Sequence, residues 1–201
     1  EKETPKGYFW FRAEVKGLRG GHSGSDIDKG YGNANKILAR FLHSLTRKKY
    51  GMVLSEIGGG NLHNAIPREA YALVGVKAKY KEDIRVKVNT FLADLREEYK
   101  KVEPSLDLLL ESAQIPSKVI NRKTTERLIL SLCACPHGVI GMSSDIEGLV
   151  ETSTNLASVK MLPDRRIEVG TSQRSSVESQ KRYVVDMVSS LFTLAGEKSE
   201  V

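Results

Sequence analysis

Tyr8-Phe9-Trp10-Phe11-Arg12-Ala13-Glu14-Val15 alternates residue by residue, with Phe9, Phe11, Ala13 and Val15 on one side and Tyr8, Trp10, Arg12 and Glu14 on the other. Side chains along a strand point to opposite faces in turn, so this period of two predicts a half-buried β-strand. Past a glycine-rich stretch, Ile37, Leu38, Phe41, Leu42 and Leu45 recur at helical spacing. They predict a helix over 33–48, its last turn closed by Arg47, Lys48 and Lys49, where the helix dipole favours cations. Residues 52–57 and 70–78 read as two further strands. A second helix over 81–101 sets Ile84, Val88, Phe91, Leu92 and Leu95 on one face, and 106–110 reads as another strand. The order β-α-β-β-α-β predicts a ferredoxin-like unit, an antiparallel sheet with two helices on one face.

Beyond Gln114-Ile115-Pro116-Ser117 the pattern resumes. A helix over 124–133 carries Leu128, Ile129 and Leu132, and a short strand follows over 138–142. Longer strands over 152–162 and 166–172 turn at Pro163-Asp164, a pair suited to a tight turn. The last helix, 177–195, has Tyr183, Val184, Met187, Val188, Leu191 and Leu194 as its apolar stripe. The expectation is an α+β chain of two related ferredoxin-like units, 1–114 and 115–201, packed side by side.

Composition narrows the function classes. At 40% hydrophobic and 28% charged residues over 201 positions, disordered, collagen-like and coiled-coil readings are poor fits. Thirty-one Lys and Arg against 25 Asp and Glu leave a net charge of +6, short of a dedicated nucleic-acid binder. No run approaches the ~20 apolar residues of a membrane helix. Glu1-Lys2-Glu3-Thr4-Pro5-Lys6 lacks the apolar core of a signal peptide, which predicts a cytoplasmic protein with no membrane partner. Cys133 and Cys135 stand too close for an easy disulfide and have no second pair with which to bind zinc, so plain thiols, buried or half-buried, are expected.

Catalytic motifs are scarce. His22, His43, His63 and His137 show no helical i,i+4 spacing and no H-x-D arrangement, so no complete metal site is expected within the chain. The G-x-S-x-G elbow and the phosphate-loop pattern are also missing. Nine of the 17 glycines nevertheless cluster, Gly17, Gly20, Gly21, Gly24, Gly30 and Gly32 in one run and Gly58, Gly59 and Gly60 in another. Three polar loops then stand out. Gly20-Gly21-His22-Ser23-Gly24 leaves an imidazole projecting from a tight backbone path, either as a functional group or as an incidental loop residue. In Gly58 to Arg68, glycines and Asn suit turns and Arg68 could hold an anion, or the whole is a solvated hairpin. Arg174-Ser175-Ser176 joins a strand to a helix, where either serine could be a simple N-cap.

Together these loops resemble the zinc-dependent exopeptidases that include carboxypeptidase G, aminoacylase and the bacterial dipeptidases. Residues 15–24, 32–36, 64–70 and 148–153 look most like the aminoacyl-histidine (Xaa-His) dipeptidases, in matching order. The resemblance implies the lid or dimerisation domain alone. The H-x-D, paired acidic and distal His ligands of two zinc ions would sit in a separate catalytic domain, leaving no metal and no cofactor in this chain. It further implies that His22 donates a hydrogen bond to a carbonyl oxygen as it becomes an oxyanion, that Asn64 contacts substrate or the same region, and that Arg174 grips the C-terminal carboxylate of a dipeptide. Gly20, Gly21 and Gly24 would shape the loop, and His63 and Arg68 receive no role. The implied partners are the catalytic domain, the dipeptide and a second copy through the lid. Two other readings are a free-standing ferredoxin-like module that binds a small molecule, and single-stranded RNA binding on the face of Tyr8 and Trp10.

Overall fold

Strand β2 (Tyr8–Lys16) forms as its alternation requires, with Phe11, Ala13 and Val15 fully buried against helices. The computed structural model describes residues 2–46, 49–198 and 200. β2 follows the two-residue β1 (Lys2–Glu3) and is followed by α1 (Ala34–Leu45), β3 (Val53–Gly59), β4 (Ala70–Lys77), α2 (Lys81–Glu98) and β5 (Asp107–Ser112). After β6 (Lys118–Val119) come α3 (Arg122–Ala134), β7 (Gly138–Met142), β8 (Val150–Met161), β9 (Ile167–Ser175) and α4 (Glu178–Leu194). Arg47 and Lys48, expected to close α1, lie outside the described residues. Lys49 is described, and its ammonium meets Asp83 at 3.5 Å.

The first half lines up as β5-β2-β4-β3, every pair antiparallel, with α1 and α2 on one face. This is the expected ferredoxin-like order. β8 extends the sheet: along one edge it pairs first with β7 and then, at Gly59↔Val159, with β3, while β9 runs along its other edge. The result is a seven-stranded antiparallel sheet and an α+β fold. The segment at 115–121 is stitched to the first half, since β6 pairs with β1, the Ser55 hydroxyl donates to the Lys118 carbonyl at 2.8 Å and Ile120 N–H to Leu54 O at 2.8 Å.

One core runs through both halves. α1 supplies Ile37, Leu38, Phe41, Leu42 and Leu45, all buried, against Phe11, Ala72 and Val74 of the sheet, Ile84 and Leu95 of α2, Ile129 and Leu132 of α3, and Leu156 and Val159 of β8. Burying each such large aliphatic or aromatic side chain contributes about 1.5–3 kcal/mol. On the opposite face Trp10 lies over Gly75, where a Cβ would come 2.8 Å from the indole, and Trp10 is 3% exposed. The ring on which the RNA reading leaned is therefore covered.

Helix ends explain how the halves join. Asn33 is the N-cap of α1: its Oδ1 accepts from Lys36 N–H at 3.2 Å, and its Nδ2 donates to Leu156 O of β8 at 2.9 Å. Asn121 caps α3 in the same way. The Lys36 ammonium reaches from α1 to the end of α3 and donates to the carbonyls of Leu132, Cys133 and Cys135 at 2.9, 2.6 and 2.7 Å. Those are carbonyls that a helix end leaves without intrahelical partners, and a cation there also meets the negative end of the dipole. Both cysteines are free thiols, Cys133 half-buried and Cys135 buried; burial pushes Cys135 up to about 11.

Candidate functional site

The three polar loops converge at one end of the sheet. Residues 20–26 run against 63–66, with His22 bridged to Ala65, Ile66 N–H donating to Gly21 O and Ser23 N–H to Asn64 O, both at 2.8 Å. β8 and β9 complete the cluster. Asn155 Nδ2 donates to Ala65 O at 2.8 Å and the Ser172 hydroxyl to His63 O at 3.0 Å, gripping the carbonyls on either side of Asn64.

Glycine shapes the first loop by conformation and by room. Gly20 has φ +69°, in the left-handed region, and a Cβ there would overlap the Arg68 side chain. Gly21 has φ +142° and packs on Asp26. Gly24 is a matter of space: a Cβ built on it would lie 3.1 Å from Cε1 of His22 and 3.4 Å from Nη1 of Arg174. His22 and Arg174, some 150 residues apart in sequence, thus flank the same glycine.

The His22 ring is held in one tautomer. Its Nδ1 accepts from Gly24 N–H and Ser25 N–H, each at 3.2 Å, so the neutral imidazole carries its proton on Nε2 and presents a donor there. Its own N–H donates to Asp26 Oδ2 at 2.7 Å, and Asp26 also takes the Lys29 ammonium at 2.5 Å. The Lys29 ammonium first, and the His22 N–H after it, hold the Asp26 carboxyl below its usual range. His22, Asn64 and Arg174 are exposed, and among the described residues the Arg174 guanidinium makes no ion pair and no hydrogen bond. Across the sheet Arg174 is paired with Ser153.

β8 brings a run of buried polar side chains to this end. Thr152, Ser153, Thr154, Asn155 and Ser158 are each at most 3% exposed. Thr152 Oγ1 and Ser175 Oγ are 2.8 Å apart, while the Asn155 Oδ1 and Ser158 Oγ atoms have no partner among the described residues. Ser175 is no helix cap: it lies in β9 and its hydroxyl accepts from Val177 N–H at 3.0 Å, Val177 itself being the N-cap of α4. Asn155 and Ser172 were missed by sequence reasoning. Asn155 stands two residues past the 148–153 motif, which was the available signal.

Among the described residues no group of three or more His, Cys, Asp or Glu side chains is placed to hold a metal ion, and no helix is long and apolar enough to cross a membrane. His43, on α1, and His137, between α3 and β7, stand apart from the loop cluster.

Residues 5–103 match the family model described as a peptidase dimerisation domain. The cytosol non-specific dipeptidase of Escherichia coli (strain K12) is 41% identical over 197 residues, which is 98% of this chain and 40% of that protein. The crystal structure of aminoacylhistidine dipeptidase from Vibrio alginolyticus superposes with a TM-score of 0.92 at 35% identity, over 97% of this chain and 39% of that one. The chain thus spans about two fifths of the length of these relatives. In sequence and in fold the chain resembles the peptidase dimerisation domain and a segment of these dipeptidases.

Proposed function

We propose that these residues form the lid and dimerisation domain of a cytoplasmic, zinc-dependent dipeptidase that hydrolyses Xaa-His dipeptides, with 1–114 and 115–201 as its two ferredoxin-like halves. The observation that carries this reading is the meeting of His22 and Arg174 about Gly24. One offers an Nε2–H donor in a tautomer set by the loop backbone, and the other a planar fork with no partner among the described residues. Among the described residues no group of His, Cys, Asp or Glu is placed to hold the two zinc ions, so in this reading they belong to a separate catalytic domain and no step below runs through them.

When a peptide carbonyl becomes tetrahedral, charge collects on its oxygen. A donor aimed at that oxygen binds the transition state more tightly than the ground state, which is the condition for raising kcat. His22 Nε2–H supplies that donor. Arg174 takes the free carboxylate of the dipeptide through two parallel N–H···O bonds and thereby fixes the register of the scissile bond. The Asn64 amide adds a hydrogen bond to substrate beside them. Gly24 leaves the room in which the imidazole and guanidinium stand together, while Gly20 and Gly21 shape the loop against Arg68 and Asp26.

Homodimerisation is the second role. β7 pairs with β8 on one edge only among the described residues, and Val139, Ile140, Met142, Ile146 and Leu149 on this strand and its following loop are 37–58% exposed. An open strand edge with an apolar surround suits a second copy of the chain.

The deciding experiment is His22→Ala in the peptidase that carries this segment. The expected loss in kcat is about 10²–10³ at unchanged metal content. Turnover close to wild type would remove His22 from the reaction and the reading with it.

A further inference from the structure

One side chain fastens the His22 loop at both ends. Glu103 lies in the turn between α2 and β5 and is 3% exposed. Its Oε2 accepts from Arg19 N–H at 2.8 Å, where the chain leaves β2, and its Oε1 accepts from Gly32 N–H at 2.8 Å, just before the Asn33 cap of α1. Everything between those two amides is the loop that holds Gly20, Gly21, His22, Gly24 and Asp26.

The chemistry of this clamp is specific to a carboxylate. Burying a charge is costly unless it is met by hydrogen bonds. Among the described residues Glu103 makes no ion pair, so two backbone N–H groups meet its charge. Bonds of this charge-assisted kind are roughly twice as strong as neutral ones. A glutamine of the same shape offers one acceptor and one donor, so against two N–H donors its amide nitrogen must oppose one of them. Within the clamp, Asp26 ties His22 N–H, Asn64 O ties Ser23 N–H and Gly21 O ties Ile66 N–H, so the loop carries its own internal bonds and Glu103 adds the hold on its two ends.

We propose that Glu103 is the positioning residue for His22: by holding Arg19 N–H and Gly32 N–H on one carboxylate it fixes the ends of the loop and so sets the reach of the imidazole. It touches no substrate and acts only through His22. This deepens the function proposed above and rests on it.

Three measurements test it. In the wild-type 201-residue chain, hydrogen exchange at the Arg19 and Gly32 amides is slowed about 100-fold or more, as two bonds to a buried carboxylate require. In Glu103→Gln, exchange at Ser23, Gly24 and Ser25 quickens about tenfold or more while the α1 amides stay slow. In the peptidase carrying this segment, E103Q lowers kcat about 10–100-fold with KM within about twofold, and adds nothing further in a His22→Ala background. Free exchange at Arg19 and Gly32 in the wild type overturns the clamp, and that measurement decides even where E103Q fails to fold. Impaired H22A with normal E103Q overturns the positioning role, as does an equal loss from E103Q in both backgrounds. An unimpaired H22A overturns the function on which the proposal rests, whatever the exchange data say about the clamp.

Discussion

Lowering the pH from about 7.5 to about 4 puts a proton on His137 of the unfolded chain well before the folded chain accepts one. In the fold, burial first, and the Lys36 ammonium after it, push His137 down to about 4 from an ordinary value of 6.5. Geometry gives the same direction. Asn33 Nδ2 lies 3.3 Å from His137 Nδ1, and the orientation of that amide is set by its bonds to Leu156 O and from Lys36 N–H, so Nδ1 faces a donor and must accept. A second proton would set N–H against N–H. Because the folded value is depressed, the contribution is fully present above 6.5 and is lost as pH falls toward 4, where the unfolded state binds the extra proton. A difference of about 2.5 pH units at 1.36 kcal/mol each gives a loss of about 3 kcal/mol across the window. Urea unfolding of wild type and His137→Gln at a series of pH values isolates this term, since the carboxylates titrate in both and Gln keeps an acceptor for Asn33. The wild type should lose about 3 kcal/mol more than the variant. Curves that stay parallel within about 0.5 kcal/mol would refute the assignment.

Two further outcomes follow from other contacts. Lys36→Met removes three hydrogen bonds from the C-terminal carbonyls of α3 while keeping the apolar stem, and should cost about 2–3 kcal/mol in chemical denaturation; a loss under about 0.5 kcal/mol would mean that water replaces the ammonium there without penalty. Ile140→Glu on the open edge of β7 should turn a sedimenting dimer into a monomer with unchanged thermal stability, and a monomeric wild type would sink the proposed second copy.

The long elements were readable because each repeats its period over many residues: β2 and β4 at two, α1, α2 and α4 at three to four. The two-residue strands β1 and β6 were not, since nothing local in Lys2-Glu3 or Lys118-Val119 announces a partner more than 100 residues away. β8 reads as a strand, yet its Thr152-Ser153-Thr154-Asn155 run gives no sign of being buried, because the burial comes from its β7, β9 and loop neighbours. The three polar loops that carry His22, Asn64 and Arg174 were legible from their glycines and polar residues, and the structure brings these loops together. Glu103 was not, because its two partners lie 84 and 71 residues away and a single Glu after a helix carries no pattern. His137 was likewise counted but given no role, its character being set by Asn33 and Lys36 at the start of α1.

Helix α1 carries a consequence for how the chain comes apart. Sheet continuity between β3 and β8 rests on the single pairing Gly59↔Val159, whereas α1 packs on β2, β3, β4, β8 and α3 at once. Its N-cap holds β8 and its Lys36 holds the end of α3. Neither half can lose its structure without exposing the buried face of α1 that the other half needs. Two parts of the sheet joined by one rung are tied by this helix into a single cooperative body, which is expected to melt in one step.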